Sequence, residues 1–159
     1  MNIPLSKLNY SFNKKPLLIG GSAMEYYGLR KAGKDIDLIV VKNDLINLIK
    51  QYPNRLKNLG GDLGVCPFEF EIWKTICYFG YDELIEGAID RENYLIISLE
   101  KLLFLKALGM KKDKYLQDLY KTTSKILNKQ SEKYNEIKLE NDMLLKNIEN
   151  IVYIQKNTP

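Results

Sequence analysis

The sequence has no histidine, only two cysteines and no apolar run of membrane-spanning length. Without histidine, the chain has no imidazole base, no Ser-His-Asp triad and no histidine-ligated metal site. Any acid–base chemistry must therefore use carboxylates, lysine, tyrosine or metal-bound water.

The cysteines and apolar segments indicate a reducing, aqueous environment. Cys66 and Cys77 are too few and too unpatterned for a zinc cluster or a disulfide framework. The longest apolar runs, such as residues 94–97, are far shorter than the about 20 residues that span a bilayer. The first residues also lack the basic and apolar regions of a signal peptide. We therefore expect reduced thiols, no membrane association and a cytoplasmic location.

Length and charge limit what the chain contains. Its 159 residues suit one domain of the common size of about 100–150 residues, with a helical extension. The 24 basic and 20 acidic residues give a formal charge of +4, which is compatible with phosphate-bearing ligands and below the basicity typical of nucleic-acid-binding domains. We predict a first domain over residues 1–110 and a C-terminal helical extension over residues 111–159, packed on that domain or on a partner.

Residues 17–41 carry the densest set of functional signals. A short apolar strand leads into Gly20 and Gly21, which can adopt backbone angles closed to other residues and let a ligand approach the main chain. Ser22, with Glu25 three residues later, fits a capping box that begins a short helix. The free amides at such a helix start favour anions, so we predict a phosphate cradle here.

A pair of acids opens the next predicted strand. Asp35 and Asp37 lie two residues apart in a β-branched run, so both carboxylates leave one face of the strand, about 7 Å apart. Two like charges at that separation need a cation. Mg²⁺ is the expected ion because hard cations prefer carboxylate oxygens.

The order of these residues resembles a known signature. Residues 20–22 (Gly-Gly-Ser), 28–30 (Gly-Leu-Arg) and 35–38 (Asp-Ile-Asp-Leu) are similar to the nucleotidyltransferase superfamily of the DNA polymerase β type. They look most like its small bacterial branch, which includes abortive-infection-type toxins and minimal nucleotidyltransferases. The resemblance implies two Mg²⁺ ions at the acid pair, and triphosphate contacts from residues 20–22 and from Arg30.

The resemblance also implies a third carboxylate from a neighbouring strand. Residues 68–73 (Phe-Glu-Phe-Glu-Ile-Trp) form the clearest strand alternation in the chain and place Glu69 and Glu71 on one face. We choose Glu71 as the third metal ligand and catalytic carboxylate because it lies deeper in the strand. Glu69 is the alternative, and both are open to a simpler interpretation as exposed side chains on the wet face.

A later region of the chain is similar to the family's second conserved region. Lys106 matches a helix lysine that supports nucleotide binding, and Lys114 and Asp118 match the ends of a Lys-Asp-x-x-Asp element. Tyr115 stands where the first aspartate of that element is expected, which leaves full activity open. The simpler interpretation of Lys106 is a solvated lysine whose stem packs on the core.

The last third of the chain has apolar residues at helical spacing. We predict two helices from residue 114 onward, with a break near residues 128–131. The spacing is too irregular to predict a coiled coil. These helices either fold back on the domain or bury their apolar stripe against a second copy or a partner protein.

These patterns predict an α+β fold, a small mixed β-sheet with flanking helices of the nucleotidyltransferase kind, followed by C-terminal helices. The predicted activity moves a nucleoside monophosphate from a nucleoside triphosphate to an acceptor hydroxyl on RNA, protein or a small molecule. One alternative is a degenerate member that binds nucleotide or a partner without turnover. The other is a helical interaction protein that works through residues 114–155.

Overall fold

The computed structural model describes residues 2–109 and 112–155, with side chains for all of these except residues 145 and 147–155. Over these residues the protein has a seven-stranded mixed sheet, flanking helices and a long C-terminal helix, which confirms the predicted α+β class. The strands are β1 (Leu17–Leu18), β2 (Ile36–Ile39), β3 (Leu56–Leu59), β4 (Asp62–Val65), β5 (Phe70–Trp73), β6 (Thr75–Ile76), β7 (Phe79–Gly80), β8 (Ile89–Asp90) and β9 (Leu95–Ile96). The α-helices are α1 (Gly20–Tyr26), α2 (Lys42–Gln51), α3 (Tyr81–Leu84), α4 (Leu99–Leu108) and α5 (Asp113–Gln155).

The strand order places the two acid-bearing strands side by side. The sheet runs β3-β4-β5-β2-β1-β9-β8, and β6 pairs with β7 in a separate hairpin. Strand β2 is parallel to β5, and β1 is parallel to β9. Leu38 and Ile72 are in register on β2 and β5 and are fully buried, so this pair of strands forms the centre of the core. Alternate residues on the same strands therefore face the opposite side of the sheet.

Helix α1 begins earlier than the sequence pattern predicts. Gly20 has a φ of +63° and turns the chain directly from β1 into the helix. Ser22 is already inside the first turn, where it is buried and makes no cap hydrogen bond, so the predicted capping box is wrong. At the other end, Gly28 and Leu29 donate backbone hydrogen bonds to the carbonyls of Glu25 and Met24, the pattern of a Schellman motif.

Asp44 attaches the N-terminal segment to helix α2. Its buried carboxylate accepts hydrogen bonds from the Tyr10 hydroxyl at 2.9 Å and from the Asn13 backbone amide at 3.0 Å. This segment also carries Lys7, which reaches the start of β5 and forms an ion pair with Glu69.

Helix α5 continues through the predicted break at residues 128–131, so the prediction of two helices is wrong. The physical reason is that this stretch contains neither glycine nor proline, and its residues tolerate a helix. The chain forms two compact units, which divide between Thr122 and Thr123. The predicted division between residues 110 and 111 lies outside the described residues.

The second unit is described up to residue 155 and consists of the later part of α5. Large apolar side chains along it are exposed: Leu127, Tyr134, Ile137, Leu139, Met143 and Leu144. Among the described residues, no helix combines the length and the apolar character needed to cross a membrane.

Candidate functional site

One cavity of about 380 Å³ in the first unit brings together seven of the eight predicted site residues. They are Gly20, Gly21, Arg30, Asp35, Asp37, Glu71 and Lys106. Ser22 is the exception, because it is buried inside the first turn of α1. Most of the remaining wall is apolar or aromatic, and includes Ile19, Leu59, Trp73, Ile76, Leu102, Leu105 and Tyr115. The volume lies within the range of about 300–1,000 Å³ that is common for small-molecule sites.

Three carboxylates form one wall of this cavity, which we call the acid wall. Asp37 on β2 is in register with Glu71 on β5, and neighbouring strands lie about 4.8 Å apart. Asp35 lies two residues before Asp37, just outside β2, and is exposed. The acid wall consists of Asp35, Asp37 and Glu71, which line the same cavity, and the parallel pairing of β2 with β5 places Asp37 beside Glu71.

The carboxylate of Asp37 is held in an unfavourable electrostatic environment. Burial, followed by the negative charges of Glu71 and Asp35, raises its pKa to about 6. The positive charge of Lys106 and a hydrogen bond from the Gly21 backbone amide act in the opposite direction. Asp37 thus lacks sufficient positive charge around it, and a cation bound beside it would supply that charge.

Gly20 is required by the position of Asp37. A Cβ atom at residue 20 would lie 2.0 Å from Oδ2 of Asp37, and the φ of +63° also favours glycine. The backbone of residues 20–21 therefore contacts the acid directly, so the glycine turn and the acid pair form one structural unit.

Glu71 rather than Glu69 belongs to the acid wall. Phe68 has a φ of +55°, which breaks the predicted strand alternation, and β5 begins only at Phe70. Glu69 consequently lies before the strand and forms an ion pair with Lys7, outside the residues that line the cavity. Glu71 lines the cavity and accepts a 2.6 Å hydrogen bond from Lys57 of strand β3.

Asp118 holds two basic residues of the cavity, Arg30 and Lys106, in place. Its buried carboxylate accepts hydrogen bonds from Nε and Nη2 of Arg30 at 2.7 and 3.0 Å. It also forms an ion pair with Nζ of Lys106 at 3.0 Å. We call Arg30 and Lys106, held by Asp118, the basic wall. Lys106 is only 6% exposed, so it is a buried, paired lysine and not a solvated one.

The ionisation of the basic wall follows from burial and pairing. Burial alone would raise the pKa of Asp118, but the hydrogen bonds from Arg30 and Lys106 hold it below its ordinary value. The hydrogen bond to Asp118 raises the pKa of Arg30. Burial lowers the pKa of Lys106, although Asp118 opposes this shift. Asp118 therefore favours the charged forms of Arg30 and Lys106, and these two cations keep Asp118 ionised.

Tyr115, which departs from the family pattern, also lines the cavity. Its ring centroid lies 5.0 Å from Nζ of Lys106, within the range of a cation–π contact. In this chain, the position of the expected aspartate thus supplies an aromatic surface beside the basic wall.

Lys57 was not predicted as a site residue, and the sequence near it carries no signal for that role. It lies on a strand that reaches β5 only through β4, so its contact with Glu71 depends on the strand order. For Asp118 a signal existed in the Lys-x-x-x-Asp spacing from Lys114, but its role as the shared partner of two cations required the folded structure.

The acid wall fits a divalent cation through its chemistry. Asp35 and Asp37 offer hard oxygen donors, and burial together with the neighbouring carboxylates raises the pKa of Asp37, which a bound cation would lower. Glu71 is engaged by Lys57, however. Within residues 2–109 and 112–155, no group of three or more acidic, cysteine or histidine side chains converges in a metal-binding arrangement.

Comparison of the chain with protein-family models, with curated proteins and with solved structures gives no match. The resemblance to nucleotidyltransferases therefore stays a prediction that depends on the signature residues themselves.

We expect Gly20→Ala to destabilise the protein by about 2 kcal/mol or more, because alanine is strained at positive φ and its Cβ would displace Asp37. The control is Gly33→Ala, which lines the same cavity but would place its Cβ in open space and should change stability by less than about 0.5 kcal/mol. Urea unfolding measures both. Equal midpoints for Gly20→Ala and wild type would contradict this account of the turn.

We expect Asp37→Asn to stabilise the protein in metal-free buffer at about pH 8 but not at about pH 4. The pKa of Asp37 is about 6 when folded against 3.8 as the ordinary value, so the folded state binds this proton more tightly. Its ionisation lowers the free energy of unfolding as pH rises between those two values. Thermal melts with a chelator measure the effect, with Asp82→Asn at an exposed carboxylate as control. Equal stability of the wild type and Asp37→Asn at about pH 8 would contradict the raised pKa of Asp37.

We expect Asp118→Asn to cost about 3 kcal/mol or more, because it leaves two neighbouring cations without their shared counter-charge. Asp113→Asn, at an exposed position in the first turn of α5, should cost less than about 1 kcal/mol. Chemical denaturation of both variants tests the difference. Similar losses for the two substitutions would mean that Asp118 does not hold the basic wall together.

Proposed function

We propose that this protein is a metal-dependent nucleotidyltransferase. It binds a nucleoside triphosphate in the cavity and transfers the nucleoside monophosphate to an acceptor hydroxyl. The new bond joins the acceptor oxygen to the α-phosphorus, the bond between the α- and β-phosphates breaks, and pyrophosphate leaves. The observation that supports this most strongly is that a single cavity is lined by the three carboxylates of the acid wall and by the two cations of the basic wall, with Lys112 and Lys114 as further basic residues in its lining. A magnesium nucleotide carries both charges, since its metal seeks carboxylates and its phosphates seek cations. The order of the signature residues gives independent support.

The basic wall binds the triphosphate. Arg30 uses Nε and Nη2 for Asp118, and its remaining terminal nitrogen, Nη1, donates a 2.9 Å hydrogen bond to the Lys31 carbonyl. Nη1 carries a second N–H, which is the group that we propose for the phosphate. That nitrogen lies 3.5 Å from the point where a Cβ on Gly21 would be, so the absence of a side chain at residue 21 leaves space beside it. Lys106 adds a second positive charge at a fixed position.

The acid wall carries the metal and the proton transfer. Asp35 and Asp37 would hold Mg²⁺, and Glu71 would complete the metal site beside the acceptor hydroxyl and accept the proton of that hydroxyl as general base. Two bound Mg²⁺ ions would stabilise the attacking and leaving oxygens of an in-line displacement at phosphorus. With no histidine in the chain, a carboxylate is the natural group for the base.

The aromatic and apolar part of the cavity accommodates the nucleobase. Tyr115 lies beside Lys106 and offers a ring face, and Trp73 and Leu105 contribute further apolar surface. Stacking of a base on an aromatic side chain contributes about 1–3 kcal/mol and tolerates different bases. The replacement of the expected aspartate by Tyr115 is therefore compatible with nucleotide binding.

The acceptor is RNA, a protein or a small molecule, and we propose that the protein acts in the cytoplasm. The exposed apolar side chains of the second unit would bind a partner protein or a second copy of the chain. The same exposed side chains support the alternative hypothesis that this is a helical interaction protein.

A second candidate is a protein that binds nucleotide without turnover. The ion pair between Lys57 and Glu71 favours it, because a glutamate held by lysine is not free to act as a base. The two candidates share the cavity and differ in whether a bond is formed.

We expect the double variant Asp35→Asn/Asp37→Asn to abolish magnesium-dependent transfer while the fold is retained. The assay incubates the full chain and cell extract with each labelled nucleoside triphosphate in turn and follows which molecule becomes labelled. Glu71→Gln should lower the rate by about tenfold or more, whereas Glu69→Gln, outside the cavity, should leave it unchanged. Circular dichroism confirms folding of each variant.

The alternatives give different results in the same series. Transfer by the double variant at the wild-type rate would show the acid pair to be the wrong site. Calorimetric binding of MgATP or MgCTP without any labelled product would favour a nucleotide-binding protein. Neither binding nor transfer, together with an oligomer that dissociates when residues after Asp118 are removed, would favour a helical interaction protein.

A further inference from the structure

Lys57 places an ammonium group at the acid wall. Its Nζ is 2.6 Å from Oε1 of Glu71 and 5.6 Å from the ring centroid of Trp73. Both Glu71 and Trp73 line the cavity. Lys57 is thus the positive charge that accompanies the third carboxylate in this structure.

A neighbouring ion pair shows that such a contact is not special by itself. Lys7 and Glu69 form a similar Lys–Glu pair just before β5, with comparable side-chain exposure: 54% and 27%, against 43% and 24% for Lys57 and Glu71. The difference lies in the carboxylate. Glu71 is in register with Asp37 and faces the cavity, whereas Glu69 does neither.

The position of β3 allows Lys57 to leave Glu71. Strand β3 is at the edge of the sheet, and all four of its residues are exposed. The Lys57 side chain has a flexible four-carbon stem and is 43% exposed, so it can turn into solvent without opening the core. An exposed ion pair of this kind contributes at most about 1 kcal/mol, which a divalent cation can exceed.

We propose that Lys57 is the resident cation of the acid wall: its ammonium holds Glu71 in the free protein, and a divalent ion must displace it to gain the third carboxylate. Lys57 is therefore a positioning residue that sets how tightly metal binds. The inference rests on the proposed function in one respect, that the acid wall binds metal.

The test is a Mn²⁺ titration of the full chain without nucleotide, followed by electron paramagnetic resonance. We expect Lys57→Met, which keeps the apolar stem and removes the charge, to bind Mn²⁺ about tenfold more tightly or better, since an ammonium near the metal repels it. Lys57→Gln is a second neutral variant with the same expectation. Lys57→Arg keeps the charge and should bind as wild type does. Lys7→Met removes an equal charge from the matched ion pair outside the cavity and should also bind as wild type does.

Three results would overturn the proposal. They are equal Mn²⁺ affinity for wild type and both neutral Lys57 variants, an equal gain in Lys7→Met, and no detectable Mn²⁺ binding by any variant. A tighter Mn²⁺ site in Lys57→Met and Lys57→Gln, with no nucleotide transfer by any protein, would support the role of Lys57 and count against the proposed transferase activity. The two failures are therefore distinguishable.

Discussion

The parallel pairing of β2 with β5 places two carboxylates, Asp37 and Glu71, in register beside one cavity. Much of the surrounding structure can be understood as a response to that concentration of negative charge. Residue 20 must lack a side chain because Asp37 occupies its space, and the amide of Gly21 donates to the same carboxylate. Lys57 pairs with Glu71. Even so, burial and the neighbouring carboxylates keep the pKa of Asp37 near 6, so these contacts do not fully offset the cost of ionising Asp37.

The basic wall has the opposite construction. Asp118 is one buried carboxylate shared by two cations, so the group as a whole retains positive charge on the cavity side. A buried ion pair contributes little net stability compared with apolar packing, and its value lies in fixing positions. Here it fixes Arg30 from the loop after α1 and Lys106 from α4 against the first turns of α5. Helix α5 therefore helps to form the site even though the family signature lies almost a hundred residues earlier.

Features that depend on neighbouring residues in the sequence can be predicted from it, whereas contacts between distant segments require the structure. The two-residue period of a strand, which is a local property, predicts that Asp35 and Asp37 lie on one side, and both line the cavity although Asp35 lies just outside β2. The failures are also physical: the positive φ of Gly20 moves the helix start past the Ser22 capping box, and Phe68 at positive φ removes Glu69 from β5. Lys57 escapes prediction because its role depends on the order of three strands.

Lys106 of the basic wall and Lys57, the partner of Glu71, differ in a way that bears on the proposed turnover. Lys106 has 8% side-chain exposure and is tied to buried Asp118, so its charge stays in place when a ligand arrives. Lys57 has 43% exposure and lies on an edge strand, and its ion pair is of the kind that solvent weakens. The phosphates of a ligand would therefore approach a lysine held in a fixed position, Lys106. A metal ion at the acid wall would approach a lysine that can move away, Lys57. In the proposed reaction, Glu71 is the group that separates binding from turnover, because its release from Lys57 would free a third carboxylate for metal or for the proton of an acceptor.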